Sequence, residues 1–233
     1  MTGSRLDPWI DSYAARAMGM TASEIRALFA VASRPEVVSL AGGMPYVDAL
    51  PMEAIADTVQ RLLLTRGSVA LQYGNGQGDQ TLREQILEVM APVGVSAHPD
   101  DVVVTAGSQM ALDLVTRVFC DPDDVVLVEA PSYVGALGVF RAYQVDVRHV
   151  AMDANGLVPE ALEEALAACR AEGRRVKFIY TIPSHHNPSG VTLDQARREQ
   201  ILRIAQEAGV LVLEDDPYGL LGFDGEVPQA IRA

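Results

Sequence analysis

VKFIYTIPSHHNPSGVTLDQARREQILRIAQEAGVLVLEDDPYG, residues 176–219, contains two short apolar runs separated by a proline- and glycine-bearing loop and a stretch with helical spacing. Neither VKFIYT (176–181) nor VLVLE (210–214) alternates apolar with polar residues, the pattern of strands covered on both faces. Between them 192–208 reads as a helix, with Thr192 and Gln195 as a capping box and Gly209 as a C-terminal stop. Strands joined by a helix of this length pair in parallel. The same rhythm extends outward: strands are expected at VVVT (102–105), VVLV (125–128) and VDVRHV (145–150), and helices at 51–66, 79–91, 108–119, 133–143 and 159–172, the last with Pro159 in its first turn. The expected fold class is α/β, a mostly parallel sheet with helices on both faces. Residues 1–35, with a helix near 22–33, read as an arm rather than a separate domain.

Composition narrows the function. With 233 residues, 49% of them apolar, the chain can bury a substantial core. Its 31 acidic against 18 basic residues give a net charge of −13, which repels a phosphate backbone. Arg174, Arg175 and Lys177 are the densest basic run and read as a solvated junction. Cys120 and Cys169 stand far apart without CxxC spacing, as two buried thiols in a reducing compartment would. The N-terminus carries charges and a proline where a signal peptide needs an apolar run, and nowhere do eighteen apolar residues follow one another. The expectation is a soluble, cytoplasmic protein that binds neither nucleic acid nor membrane.

In such sheets ligands gather beyond the carboxyl ends of the strands. After VVVT comes AGSQMALDLV, where Gly107 permits a tight turn and Ser108 and Gln109 open a helix whose free N–H groups suit a phosphate. A plain glycine turn with a serine cap accounts for the same residues. EAPSYVGAL (129–137) brings Tyr133, a flat aromatic face or a rim-packing residue. YTIPSHHNPSG (180–190) brings Asn187, biased to extended backbone by Pro188. The neighbouring His185 and His186 face apart and lack an HExxH or Cys/His companion, so no metal is expected. LVLEDDPYG (211–219) ends a buried-looking strand in Glu214, Asp215 and Asp216. A carboxylate there needs a partner, and no basic residue follows before Arg232. A phosphate cradle, an aromatic plate, an amide and an acid at successive strand ends suit a flat, phosphorylated, nitrogen-containing cofactor, for which pyridoxal 5′-phosphate (PLP) fits. GNGQG (74–78) is not a GxGxxG fingerprint, which argues against NAD.

SLAGGMP (39–45), LQYGNGQG (71–78), TAGSQMALDL (105–114), EAPSYVGAL, YTIPSHHNPSG and LVLEDDPYG resemble, in order, the motifs of fold-type I class I/II aminotransferases, particularly the branch with 2-aminoadipate and kynurenine aminotransferases. The resemblance implies the PLP-transferase fold, with an N-terminal arm and part of the small domain in residues 1–50 and the large PLP-binding domain, incomplete, in 51–233. It implies that Asp215 pairs with the pyridinium nitrogen, that Asn187 and Tyr218 bond the 3′-oxygen, that Tyr133 stacks on the ring, and that Ser108 and Gln109 hold the phosphate. Tyr73 would reach the phosphate of a neighbouring subunit in a homodimer, and Gly43 and Arg26 would line the substrate side. Two departures stand out: His186 occupies a position where glutamine is usual, and the only lysine, Lys177, lies inside a strand. In the family a lysine after the EDDPY segment forms the resting Schiff base and moves the proton. No residue of this chain fills that role, so the expectation is an N-terminal fragment of an aminotransferase acting on an amino acid and a 2-oxo acid. Decarboxylation or Cα condensation on the same fold, and the PLP-sensing domain of a transcriptional regulator, are the alternatives.

Overall fold

Five strands form one sheet in the computed structural model, which describes residues 9–18, 34, 36–38, 45–222 and 227–233. They are β1 (Val125–Ala130), β2 (Asp146–Asp153), β3 (Gly156–Leu157), β4 (Val176–Thr181) and β5 (Leu211–Glu214), in the order β3-β2-β1-β4-β5. All neighbours are parallel except the short β3, which folds back on the end of β2. The longer helices are α1 (Met52–Ala70), α2 (Gln80–Met90), α3 (Ser108–Phe119), α4 (Val134–Ala142), α5 (Pro159–Ala171) and α6 (Gln195–Ala208). Two compact units result, one of residues 1–20 with 80–233 and one of residues 21–79. The second contains α1, which bends at Arg66 (φ −138°) and runs on to Ala70 rather than ending at 66.

Lack of alternation in the strands translates into two cores. Val125, Leu127, Val150 and Ile179 pack with Leu162 and Leu166 of α5 and with Ile201 and Ala205 of α6 on one face. Val126, Val128, Phe178 and Tyr180 pack with Leu112 of α3 and with Ala136 and Phe140 of α4 on the other. The Phe140 ring meets Phe178 and Tyr180 edge-on at 5.6 and 5.5 Å. Because successive residues of a strand point to opposite faces, a central strand such as β1, wholly buried from Val125 to Glu129, must be apolar at nearly every position. Pro159 opens α5, and Gly209, at φ 67°, closes α6. Cys120 and Cys169 are buried free thiols, and burial pushes Cys120 up to about 11. Among the described residues no helix is long and apolar enough to cross a membrane.

Three sequence expectations are corrected. VVVT (102–105) is not a strand: Val102 is extended (φ −104°, ψ 130°), but no described strand pairs with it, and β-propensity alone makes no ladder. The capping box at Thr192 and Gln195 does not form. Asp194 caps α6 by accepting from the Arg197 N–H at 2.8 Å, while the Thr192 hydroxyl accepts from the His185 N–H. The basic run at 174–177 is a solvated junction only in part: Arg175 is exposed, but Lys177 pairs with Asp124 at 3.0 Å and Arg174 with Asp146 at 3.2 Å, at the entries to β1 and β2. On the outer edge, β5 has no further strand partner among the described residues and Leu211 is exposed. A cavity of about 640 Å³ runs beside it, lined by Met90, Val95, Leu202, Leu213 and Ile231 among others.

Arg197, in the first turn of α6, grips Asp153 at the end of β2 through two bonds of 2.6 and 2.8 Å and holds its carboxyl at about 2. A carboxyl depressed on folding stabilises the fold above its unfolded value of about 3.9, and that contribution is lost as pH falls through the folded value. Asp153→Asn is therefore expected to lower the urea midpoint by a constant amount above about pH 5, with the gap to the parent closing towards pH 2. A gap that stays constant down to pH 2 would show that the pair adds nothing through its charge.

Candidate functional site

The parallel ladder directs the ends of β1, β4 and β5 to one edge of the sheet, and the segments following them carry most of the residues singled out above. Alternation along β5 then sorts its acidic end. Val212 and Glu214 share the face covered by α6, where Glu214 accepts from the Ile231 N–H at 3.0 Å and lies 3.8 Å from the Arg198 guanidinium. Leu213 and Asp215 share the opposite face with Phe178 and Tyr180. There the Tyr180 hydroxyl donates to Oδ2 of Asp215 at 2.7 Å, and the Asp215 N–H donates to the Thr181 carbonyl. Burial raises the Asp215 carboxyl above its ordinary value, the Tyr180 hydrogen bond opposes that rise, and Asp216 adds to it. Burial likewise raises Glu214 and pushes the Tyr180 phenol far up, so that Tyr180 is a fixed donor. The partner missing in sequence is thus supplied in part. Arg198 serves Glu214, a neutral phenol serves Asp215, and among the described residues no cation pairs with Asp215.

Helix α3 starts directly after Gly107, whose φ of 79° and ψ of 163° suit glycine and which offers no side-chain cap. The first-turn N–H groups at Ser108 and Gln109 are therefore left to an external acceptor. Gln109 reaches across to the start of α4, donating through Nε2 to the Gly135 carbonyl at 3.2 Å, which ties the two helix starts together. Tyr133 caps α4, half-buried, with its ring folded over Gly135 so closely that a Cβ there would overlap it. A Cβ at Gly219 would likewise strike the Asp216 carboxylate. Asn187 is exposed and Tyr218 half-buried; neither side chain has a hydrogen-bond partner among the described residues. Tyr73 is fully exposed in the other unit. Gly43 and Arg26 lie outside the described residues.

Residues that sequence reading did not single out complete the edge. Glu129, 1% exposed at the end of β1, accepts from the Thr181 hydroxyl and the Ile182 N–H, both at 2.8 Å. Tyr180 itself carried no local signal beyond being an aromatic near a strand end. Four buried side-chain polar atoms among the described residues lack a hydrogen bond, and three of them, Ser132 Oγ, His186 Nε2 and Asp216 Oδ1, lie in the segments following β1, β4 and β5. Of these, His186 Nε2 lies 3.2 Å from Glu129 Oε2 and Asp216 lines the cavity beside β5, so the three do not converge on one ligand surface. An anion-accepting helix start, an aromatic face, free amide and phenol donors, and a half-buried acid without a cation suit PLP in particular. Lys177 sits near the opposite end of β4, four residues before Thr181 or about 13 Å along a strand, and is held by Asp124. The 640 Å³ cavity is not this site: its wall includes Glu214 and Asp216 but none of Ser108, Tyr133 or Asn187. Among the described residues no cluster of histidine, cysteine or carboxylate could hold a metal.

Known proteins share both sequence and fold. An aromatic-amino-acid aminotransferase of Thermococcus litoralis is 39% identical over 222 residues, covering 95% of this chain and 53% of that protein. A 2-aminoadipate transaminase of Thermus thermophilus is 38% identical over 92% of this chain and 52% of its own length. The crystal structure of Pyrococcus horikoshii kynurenine aminotransferase, in complex with PMP, superimposes with a TM-score of 0.90 at 38% identity, over 98% of this chain and 57% of that one. The chain thus spans about half the length of the curated relatives it matches. With the family profile for aminotransferase class I and II matching residues 35–233 as well, the chain belongs to the class I and II aminotransferase family, on the fold-type I scaffold.

Proposed function

We propose that this chain supplies the ring and phosphate subsites of a PLP-dependent aminotransferase that moves an amino group between an amino acid and a 2-oxo acid. The observation that carries the reading is Asp215, a half-buried acid at the end of β5 with one oxygen taken by Tyr180 and, among the described residues, no cation paired with it. Asp215 would keep a proton on the pyridine nitrogen of the cofactor. Ser108, Gln109 and the first-turn N–H groups of α3 would hold the phosphate, Tyr133 would cover one ring face, and Asn187 and Tyr218 would donate to the 3′-oxygen. Gly43 and Arg26 would line the substrate side, and Tyr73 would complete the phosphate site of a second copy in a homodimer. The division into an arm with part of a small domain (1–50) and a large cofactor domain (51–233), and a cytoplasmic location, belong to the same reading. PLP, when bound, supplies an electron sink for carbanion chemistry at the amino acid Cα. The chain's own residues bind and orient it; the proton transfer at Cα needs a base that Lys177, paired with Asp124, does not provide.

The test is a titration of the purified chain with PLP, followed by absorbance, with pyridoxamine 5′-phosphate (PMP) as competitor. One saturable site per chain, displaced by PMP, is expected; after borohydride treatment the peptide carrying Lys177 stays unmodified in the mass spectrum. Absence of saturable binding would sink the reading. Tyr180→Phe keeps the ring packing and removes one hydrogen bond to a charged group, so affinity for PLP is expected to fall about tenfold at neutral pH, and more steeply as pH drops, because the burial-driven rise of Asp215 is then unopposed. An unchanged affinity and pH profile would show that Tyr180 does not tune Asp215.

A further inference from the structure

Behind Asn187 lies a row of side chains to which nothing above assigns a task. Glu129, its two oxygens already receiving the Thr181 hydroxyl and the Ile182 N–H, has Oε2 3.2 Å from Nε2 of His186. The His186 ring is 2% exposed. Its other nitrogen, Nδ1, receives the Ser189 N–H at 3.3 Å and lies 2.9 Å from the Ser189 hydroxyl. A backbone N–H only donates, so these partners assign Nδ1 as the acceptor and put the ring proton on Nε2, towards Glu129. That contact is close but poorly aligned, leaving Nε2 without a well-directed acceptor. The main chain at 186 is held as well: its N–H donates to Val191 at 2.8 Å and its carbonyl accepts from Gly190 at 2.6 Å. The preceding residue, His185, adopts φ 44°, a left-handed conformation that a non-glycine residue keeps only where its surroundings impose it. The turn carries His186 inward and leaves Asn187 exposed, its amide without a partner among the described residues.

We propose that His186 is a positioning residue for the cofactor: clamped between Glu129 and Ser189, it fixes the main chain so that the Asn187 carboxamide is presented to the ring oxygen of PLP. The inference rests on the reading of Asn187 given above. A histidine that merely filled the core would matter for folding and act independently of Asn187, whereas a positioning residue acts only through it. The two differ in a double-mutant cycle.

The probe is PMP, which lacks the aldehyde and so avoids adventitious reaction with amines, titrated calorimetrically into the full 233-residue chain. His186→Ala and Asn187→Ala are each expected to weaken binding about tenfold, the scale of one hydrogen bond. The double variant is expected to bind no more weakly than Asn187→Ala alone, and His186→Gln, which keeps a donor and an acceptor, to stay within about threefold of the parent. If His186→Ala loses its thermal transition, His186→Met, which keeps the bulk and removes both ring nitrogens, takes its place in the cycle. Losses that multiply to about a hundredfold in the double variant would overturn the inference and leave the functional reading intact. Failure of the parent chain to bind PMP would overturn the functional reading and this inference with it.

Discussion

Asp215→Ala is expected to weaken the binding of PLP to this chain by two to three orders of magnitude, the roughly 3–4 kcal/mol that removing one partner of a half-buried charge pair costs. Asp215→Asn separates charge from shape. An asparagine can still accept from the Tyr180 hydroxyl, so the fold around it persists, but it cannot hold a proton on a pyridine nitrogen, and its affinity should fall nearly as far. Stability should move the other way. Burial raises the folded-state value of Asp215 above its ordinary one, and a carboxyl raised on folding costs stability once ionised. That cost is absent at acid pH, where the group is protonated in both states, and is fully developed above the raised folded value. At neutral pH Asp215→Asn is therefore expected to raise the urea midpoint of the ligand-free chain while lowering its affinity for PLP. Equilibrium titration and urea unfolding on the same two variants check both signs. An affinity within threefold of the parent removes Asp215 from the role given to it.

Arg198→Ala is expected to destabilise the chain by about 3–5 kcal/mol, because it leaves a buried acid and several carbonyls without their donor. The Arg198 side chain is 1% exposed; it donates to the carbonyls of Leu193, Pro183 and Gln229 and to the Ser184 hydroxyl, at 3.0 or 3.1 Å, and lies 3.8 Å from Glu214. One guanidinium thus joins the segment after β4, the entry to α6, the segment at 229 and the end of β5. Burial lowers its own value, as it raises that of Glu214, so the group stays charged against a desolvation cost that the four bonds offset. For a chain of this size the loss corresponds to roughly 6–20 °C in Tm. Arg198→Lys should recover only a part, since one ammonium cannot span the planar fork of acceptors. A drop below about 1 kcal/mol would mean that water replaces the guanidinium at little cost.

Helices 108–119 and 159–171, strand 176–181, the stop at Gly209 and the opening Pro159 were all legible in the chain, because periodicity, capping and β-branching act within a few residues of one another. So were the strand-end motifs and the family to which they belong. What failed was non-local. VVVT has every local property of a strand but no neighbour, and Thr192 has a box partner at the right spacing yet gives its oxygen to His185.

The order of residues along this chain determined the α/β layering, the family and the set of side chains at the strand ends, since each follows from short-range pattern. Only the tertiary structure decided who meets whom. Tyr180 joins Asp215 across 35 residues, Glu129 joins Ile182 across 53, and Arg198 rather than a ligand stands by Glu214. The reason is register: the β4–β5 ladder sets Thr181 opposite Glu214, and with a side-chain period of two a slip of one residue would exchange the faces of Glu214 and Asp215. No local pattern encodes that choice, and the chemistry of the site depends on it.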